Sequence, residues 1–173
     1  MNWFALSLQG FTIHPAVDAD VAALQALFES DPAYAFLVEG AKPQPDEGFH
    51  AVHEFTPGFP RENFAKLVVR DEAGRIAAFV ELLRHYPEAY VLWLGLIFVA
   101  PHARGGLGLR LMEAMHVAAA KLGFGAMQLG MVAGNRVATL YERLGYREIR
   151  RALREGVDGI ARTVIVLERK LEP

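Results

Sequence analysis

Between Pro101 and Leu109 the chain reads Pro-His-Ala-Arg-Gly-Gly-Leu-Gly-Leu. Gly105, Gly106 and Gly108 let successive backbone N–H groups converge on an anion without Cβ interference. A helix opening at Leu107 adds its positive end, so the expected guest is a phosphate or pyrophosphate. Arg104 offers a charge-assisted partner. The plain alternative is a glycine-rich tight turn. A Walker-type loop is excluded, because no Gly-Lys-Ser/Thr ending exists. The dinucleotide fingerprint fails at its third glycine, where Leu111 stands, and Gln128 and Leu129 occupy the place of the ribose-binding acid.

A second chemical segment runs Asn135-Arg136-Val137-Ala138-Thr139-Leu140-Tyr141-Glu142-Arg143-Leu144-Gly145-Tyr146. Tyr141 carries a phenol that can donate a proton. It also lies on an apolar stripe with Val137, Leu140 and Leu144, where a tyrosine ordinarily serves packing. Asn135 is at least a helix N-cap. Acid–base candidates elsewhere are Glu81 and His85 on one predicted strand and Glu54 upstream; a strand carboxylate facing solvent or an arginine is the bland reading of Glu81. His50 and His53, with Asp46 and Glu54, bring metal-ligating types together, but two histidines at i, i+3 make no site without further ligands.

The elements that must position these groups follow from periodicity. Phe11–Ile13 reads as a strand stopped by Pro15. A helix capped by Asp18 follows, carrying Val21, Leu24 and Phe28. Residues 30–61 are punctuated by prolines and glycines and read as irregular, with one short helix over Asp46–Phe55. Lys66–Arg70 and Arg75–His85 form a hairpin, and Tyr90–Val99 reads as a strand buried on both faces. After the glycine loop come a helix over Leu107–Leu122, a strand over Ala126–Val132, a helix from Asn135 closed by Gly145, and a last hairpin, Tyr146–Leu153 with Arg162–Leu171. Met1–Gln9 is apolar, without the basic region or cleavage site of a signal peptide, and reads as edge structure.

Two motifs then resemble the GNAT superfamily of acyl-CoA-dependent N-acetyltransferases. Val99-Ala100-Pro101 followed by Arg104, Gly106-Leu107-Gly108 and Leu111 is similar to V-x-P and Q/R-x-x-G-x-G/A, one residue short between Arg104 and Gly106. The segment from Asn135 to Tyr146 is similar to N-x-A-x-x-L-Y-x-x-L-G-F/Y. Together they cover about the last half of the chain. The resemblance implies an α/β fold with a single mixed, mostly antiparallel sheet of six to seven strands, splayed in the middle, with helices on both faces. It implies one acetyltransferase domain over 1–173: an acceptor side over 11–65, an acyl-CoA-binding core over 66–145 and a C-terminal hairpin over 146–173.

The resemblance also implies roles. Backbone groups of Ile97, Phe98 and Val99 would hold the pantetheine arm. Residues Arg104, Gly105, Gly106, Leu107, Gly108 and Leu109 would hold the pyrophosphate, and Asn135 would touch the coenzyme. Tyr141 would protonate the departing thiolate, and Gly95 suits the bulge that splays the strands. The family's usual glutamate positions fall here on Trp93, Gly95 and Gly130, none of which titrates; Glu81 leads the substitutes, ahead of His85 and Glu54, and an amine of low pKa needs no dedicated base. Acetyl-CoA is then the cosubstrate, with no metal, and a small-molecule amine the acceptor. A non-catalytic acyl-CoA-binding module is the alternative.

Composition bounds these readings. With 173 residues, 53% hydrophobic, 22% charged and a net charge of −2, the chain is a globular domain without the basic excess of a nucleic-acid binder. Its longest apolar runs are too broken to span a bilayer. No cysteine is present, which excludes disulfides and an acetyl-thioenzyme and suits a cytoplasmic protein. Monomer and homodimer both remain open. From Glu29 to Glu54 the charged residues are Glu29, Asp31, Glu39, Asp46, Glu47 and Glu54 against Lys42. That surplus either favours a cationic acceptor or belongs to a solvated loop held down by Tyr34, Phe36, Phe49, Phe55 and Phe59.

Overall fold

A computed structural model of the chain describes residues 4–172. Seven strands form one sheet in the order β1-β2-β3-β4-β5-β7-β6. They are β1 (Phe11–Pro15), β2 (Phe64–Asp71), β3 (Ile76–Arg84), β4 (Val91–Val99), β5 (Ala126–Val132), β6 (Arg147–Glu155) and β7 (Ala161–Lys170). Every neighbouring pair is antiparallel except β4 with β5. That parallel step requires a crossover, supplied by the glycine loop and α4 (Leu107–Lys121). The sheet is mixed and mostly antiparallel, as the resemblance implied.

Both faces are covered. On one, Leu111, Met112, Met115 and Ala119 of α4 pack with Leu67, Val80, Leu92, Met127 and Leu129 of the sheet, joined by Tyr141 and Leu144. On the other, Leu24, Leu27 and Phe28 of α1 (Val21–Glu29) pack on Val68, Phe79 and Phe98. The alternation of a strand's side chains thus splits β2 and β3 between two cores. Ahead of β1 the chain forms no strand: Phe4 is fully buried in the core cluster and Leu8 makes one isolated bridge to Phe11, while Met1–Trp3 lie outside the described residues.

Four expectations need correction. Asp18 does not cap α1; the Asp20 carboxylate accepts the Val17 N–H at 3.0 Å, because a 3₁₀ turn over Asp18–Asp20 precedes the helix. Residues 30–61 hold two helices, α2 (Pro32–Glu39) and α3 (Glu47–His53). Proline at the first helical position and Gly40 at φ 80 after the last turn bound α2, so its punctuation marks helix ends. α5 spans Ala138–Arg143, after a turn in which Asn135 Oδ1 accepts the Val137 N–H at 3.2 Å. Finally, β4 is buried on both faces only in its first half, since Gly95 is exposed and Leu96, Ile97 and Val99 are half-buried.

The physical reason for that last correction is the splay. β4 pairs β5 only from Val91 to Leu94, opposite Ala126 to Leu129. Beyond that point β5 continues on β7 alone, to Val132. The register of β4 on β3 shifts between Glu81 and Leu82, leaving Gly95 unpaired as a bulge. A bulge adds twist and bends the strand, so the ends of β4 and β5 diverge.

Candidate functional site

The opening between β4 and β5 meets the glycine loop at its end. A 3₁₀ turn over Pro101–Ala103 leads into Gly105 and Gly106, at φ 102 and 141. L side chains rarely adopt those conformations, and no atom crowds either glycine, so glycine is required by backbone conformation and not by space. Among the described residues, nothing accepts a hydrogen bond from the N–H groups of residues 105–109; the first helical bond is from Arg110 N–H to Gly106 O at 3.1 Å. Five donors at a helix N-terminus fit a pyrophosphate. These residues therefore fit the diphosphate of a coenzyme such as acetyl-CoA.

Arg104 points elsewhere. Its guanidinium is ion-paired with Asp31, just before α2, and Arg136 reaches the same carboxylate at 3.3 Å. Asp31 therefore ties the loop after β4 and the loop after β5 to the helix on the acceptor side. Asp31-Pro32 was readable as a helix start, but nothing local could indicate that its carboxylate is held by arginines 73 and 105 residues away.

Tyr141 is 7% exposed. Its ring stands edge-on to Tyr146 with centroids 5.6 Å apart. No described residue hydrogen-bonds its hydroxyl, yet that oxygen is not sealed from solvent. A core tyrosine would have a satisfied hydroxyl; this one is left for another partner. Burial, with the Tyr34 phenol adding a smaller effect, pushes its pKa up to about 12, so it stays protonated at neutral pH. Tyr34, on α2, packs edge-on to Phe98 at 5.5 Å and lines the opposite side.

Glu81, on β3, pairs with Leu96 and stands beside the bulge in β4. A Cβ built on Gly95 would stand 2.9 Å from Glu81 Oε1, so the carboxylate occupies the space that a side chain at position 95 would need. Lys66 Nζ lies 3.3 Å from Glu81 Oε2. Lys66 also donates to the carbonyls of Glu54 and His50 and sits 4.5 Å from the Phe55 ring centre. Burial lowers the Lys66 pKa, against the opposing pull of Glu81. Sequence reading missed Lys66, because a lysine alternating within a strand looks solvent-facing.

The other base candidates are placed differently. His85 sits in the turn after β3, its Nδ1 2.5 Å from Ala89 O and its ring against Phe124, away from the cavity lining. Glu54 lines the cavity but is held 2.7 Å from His50 Nδ1. His50 also lies 3.1 Å from Asp46, and His53 lies 3.4 Å from Asp18. A Cβ on Gly130 would meet Val164 Cγ1 at 3.2 Å and the Trp93 indole at 3.6 Å, so the space beside Gly130 is already taken by two side chains.

A cavity of about 660 Å³ opens on the α1 face, bounded by Phe28, Tyr34, Phe79, Glu81, Leu96 and Phe98 among others. It reaches Gly95 and hence the splayed strand. Glu81 and Gly95 both line this cavity, and so does Tyr34, whose phenol is near enough to Tyr141 to raise its pKa. That arrangement can hold an anionic carrier on one side, a small organic molecule on the other, and move protons between them.

A family model described as an acetyltransferase (GNAT) domain matches residues 63–148. No curated protein matches the chain. Among solved structures, an N-acetyltransferase from Kribbella flavida is 26% identical, with a TM-score of 0.66 over 95% of this chain and 100% of that one. A ribosomal-protein-alanine N-acetyltransferase from Brucella melitensis is 21% identical, with a TM-score of 0.67 over 92% and 99%. A spermidine N-acetyltransferase from Vibrio cholerae, solved with CoA and spermine, is 17% identical, with a TM-score of 0.70 over 94% and 96%.

Proposed function

The chain belongs to the GNAT family of acetyltransferases, and from that premise we propose that it carries an acetyl group from acetyl-CoA to the primary amine of a small molecule by direct attack in a ternary complex. Acetyl-CoA supplies a thioester whose carbonyl carbon receives the amine nitrogen and whose sulfur departs as a thiolate. The N–H groups of Gly105 to Leu109 bind the pyrophosphate, Asn135 contacts the coenzyme, and the unpaired edge of Ile97, Phe98 and Val99 orients the pantetheine arm, one N–H polarising the carbonyl.

Glu81 accepts the proton that the amine must lose. Its placement in the space beside Gly95 is the observation that carries this reading. The family's strand glutamate is absent from position 95, and a carboxylate from the neighbouring strand fills the same volume. Tyr141, protonated and with its hydroxyl free, gives a proton to the leaving sulfur, which spares a thiolate in a dry cleft. No cysteine exists to take the acetyl group first.

Known relatives of this fold act on both small molecules and proteins by their names, a polyamine in one case and a ribosomal protein in another. A cavity of about 660 Å³, within the usual size of small-molecule sites, favours the former here. Among the described residues no helix is long and apolar enough to cross a membrane; together with the absence of cysteine, this supports a cytoplasmic enzyme. The test is thiol release from acetyl-CoA across a panel of small amines and N-terminal peptides, with initial rates at varied concentrations of both substrates. Intersecting lines with a small amine are expected. Parallel lines would overturn the ternary complex, and turnover with peptides alone would overturn the acceptor class.

A further inference from the structure

We infer that the acceptor is a monoamine on an apolar, aromatic-sized body, and that polyamines are poor ligands; this rests on the cavity beside Glu81 being the acceptor site. The cavity's charged lining holds four carboxylates, Glu39, Glu47, Glu54 and Glu81, against three cations, Lys42, Lys66 and Arg154. Two of those carboxylates are already matched: Glu39 is ion-paired with Arg154, and Glu81 lies 3.3 Å from Lys66. Glu54 is 2.7 Å from His50. Counted over Glu, Lys and Arg alone, the lining keeps one excess negative charge, the complement of a single ammonium. A triamine would bring further charges into a site with nothing left to neutralise them, and unpaired charge in a partly dry cavity is costly.

One side of the remaining wall is aromatic. Phe28 meets Phe79 edge-on at 5.9 Å and Phe98 at 5.4 Å, and Tyr34 meets Phe98 at 5.5 Å. Each ring is locked by its neighbours, so the surface they present is preformed and binds an apolar body with little ordering cost. Leu96 continues it to the bulge at Gly95, next to Glu81. A body of one ring with a short arm would lie on this wall and bring its nitrogen toward the Glu81 carboxylate.

The acidic surplus between Glu29 and Glu54 therefore does not select a polycation, because its compensating charges come from elsewhere in the chain. The experiment measures binding of 2-phenylethylamine and of spermidine to the full chain by calorimetry at one ionic strength, together with kcat/KM for each with acetyl-CoA. Dissociation constants at least about 10-fold lower for 2-phenylethylamine are expected. Val38→Asp, which adds an uncompensated carboxylate to the cavity wall, should shift the ratio toward spermidine, with a thermal melt verifying the fold. Equal binding, tighter spermidine binding, or no binding of either amine overturns the inference. Preferential binding of 2-phenylethylamine without its acetylation leaves the inference standing and instead overturns the proposed transfer reaction.

Discussion

The two sides of the splayed strands are built by opposite means. The coenzyme side is made of backbone: consecutive N–H groups at one helix start, supplied by a single run of residues from Gly105 to Leu109. The acceptor side is made of side chains drawn from α1, α2, α3, β2, β3, β4 and the β6–β7 hairpin. Backbone recognition is generic and tolerates change in every side chain around it. Side-chain recognition is specific, and it changes with single substitutions. A family can therefore keep one carrier while varying its acceptors, and the two sides should answer mutation differently.

The largest effects are expected where the two sides meet. Tyr141→Phe keeps the ring against Tyr146 and removes a hydroxyl that no described residue hydrogen-bonds. Turnover should fall by roughly 10²–10⁴-fold, with melting temperature and CoA affinity nearly unchanged. Glu81→Gln should cause a comparable loss, relieved as pH rises if the acceptor can lose its proton unaided. A Tyr141→Phe variant with near-normal turnover would return Tyr141 to a packing role.

Behind the coenzyme side lies an acid-sensitive point with no counterpart across the sheet. His116 is 5% exposed, with Nε2 2.9 Å from the Tyr146 hydroxyl and Nδ1 2.9 Å from Arg169. Burial first, and the Arg169 charge second, depress its pKa to about 4. The unfolded chain therefore binds this proton more readily than the folded one. The stability this histidine confers is complete above about pH 6.5 and is lost as pH falls toward 4, by up to about 3 kcal/mol. Denaturant melts across that range should show the loss, and His116→Gln should flatten it.

Gly108→Val tests the backbone side without disturbing the fold. Its Cβ would meet only Val99 Cγ2, at an ordinary 3.7 Å, and valine is a better helix residue than glycine. CoA affinity should still fall by about 2 kcal/mol, because the added carbon blocks the phosphate's approach to the N–H groups. Unchanged affinity, read by calorimetry, would move the coenzyme elsewhere. Gly106→Val should be worse for the fold, since its φ of 141 disfavours any side chain.

The smallest effects concern the tie between the two sides. Arg104 must leave Asp31 to reach a phosphate, so Arg104→Ala should cost CoA affinity only about 1 kcal/mol. Asp31→Asn frees both Arg104 and Arg136 and should tighten CoA slightly, by about 0.5 kcal/mol. Weaker binding in Asp31→Asn would instead make the tie a support of the loop.

Legibility in the sequence followed locality. The coenzyme loop, its flanking strand and helix, and the Tyr141 helix were readable because glycine spacing and apolar period act within a few residues. The bulge at Gly95 was readable for the same reason. The helix over Pro32–Glu39 carried its own signals, proline first and glycine after, and was obscured by the density of such residues around it. The partners of Asp31, Glu39 and Glu81 were not readable, because Arg104, Arg154 and Lys66 lie far off in the chain or on a neighbouring strand.

By itself, then, the sequence determined most of the order of elements, the glycine run at a helix start and the tyrosine on the apolar stripe of the helix that follows β5. All three depend on dihedral preferences and periodicity within single segments. Only the tertiary structure decided which charges around the cavity are paired and which carboxylate lies beside Gly95. Arg104 and Arg136 pair with Asp31, and Arg154 with Glu39, within an acidic surplus that looks uncompensated along the chain. Glu81 lies in the space beside the bulge because β3 pairs it with Leu96, next to a residue without a side chain. Electrostatic balance depends on distance in space, and the fold brings these charges together from residues up to 115 positions apart.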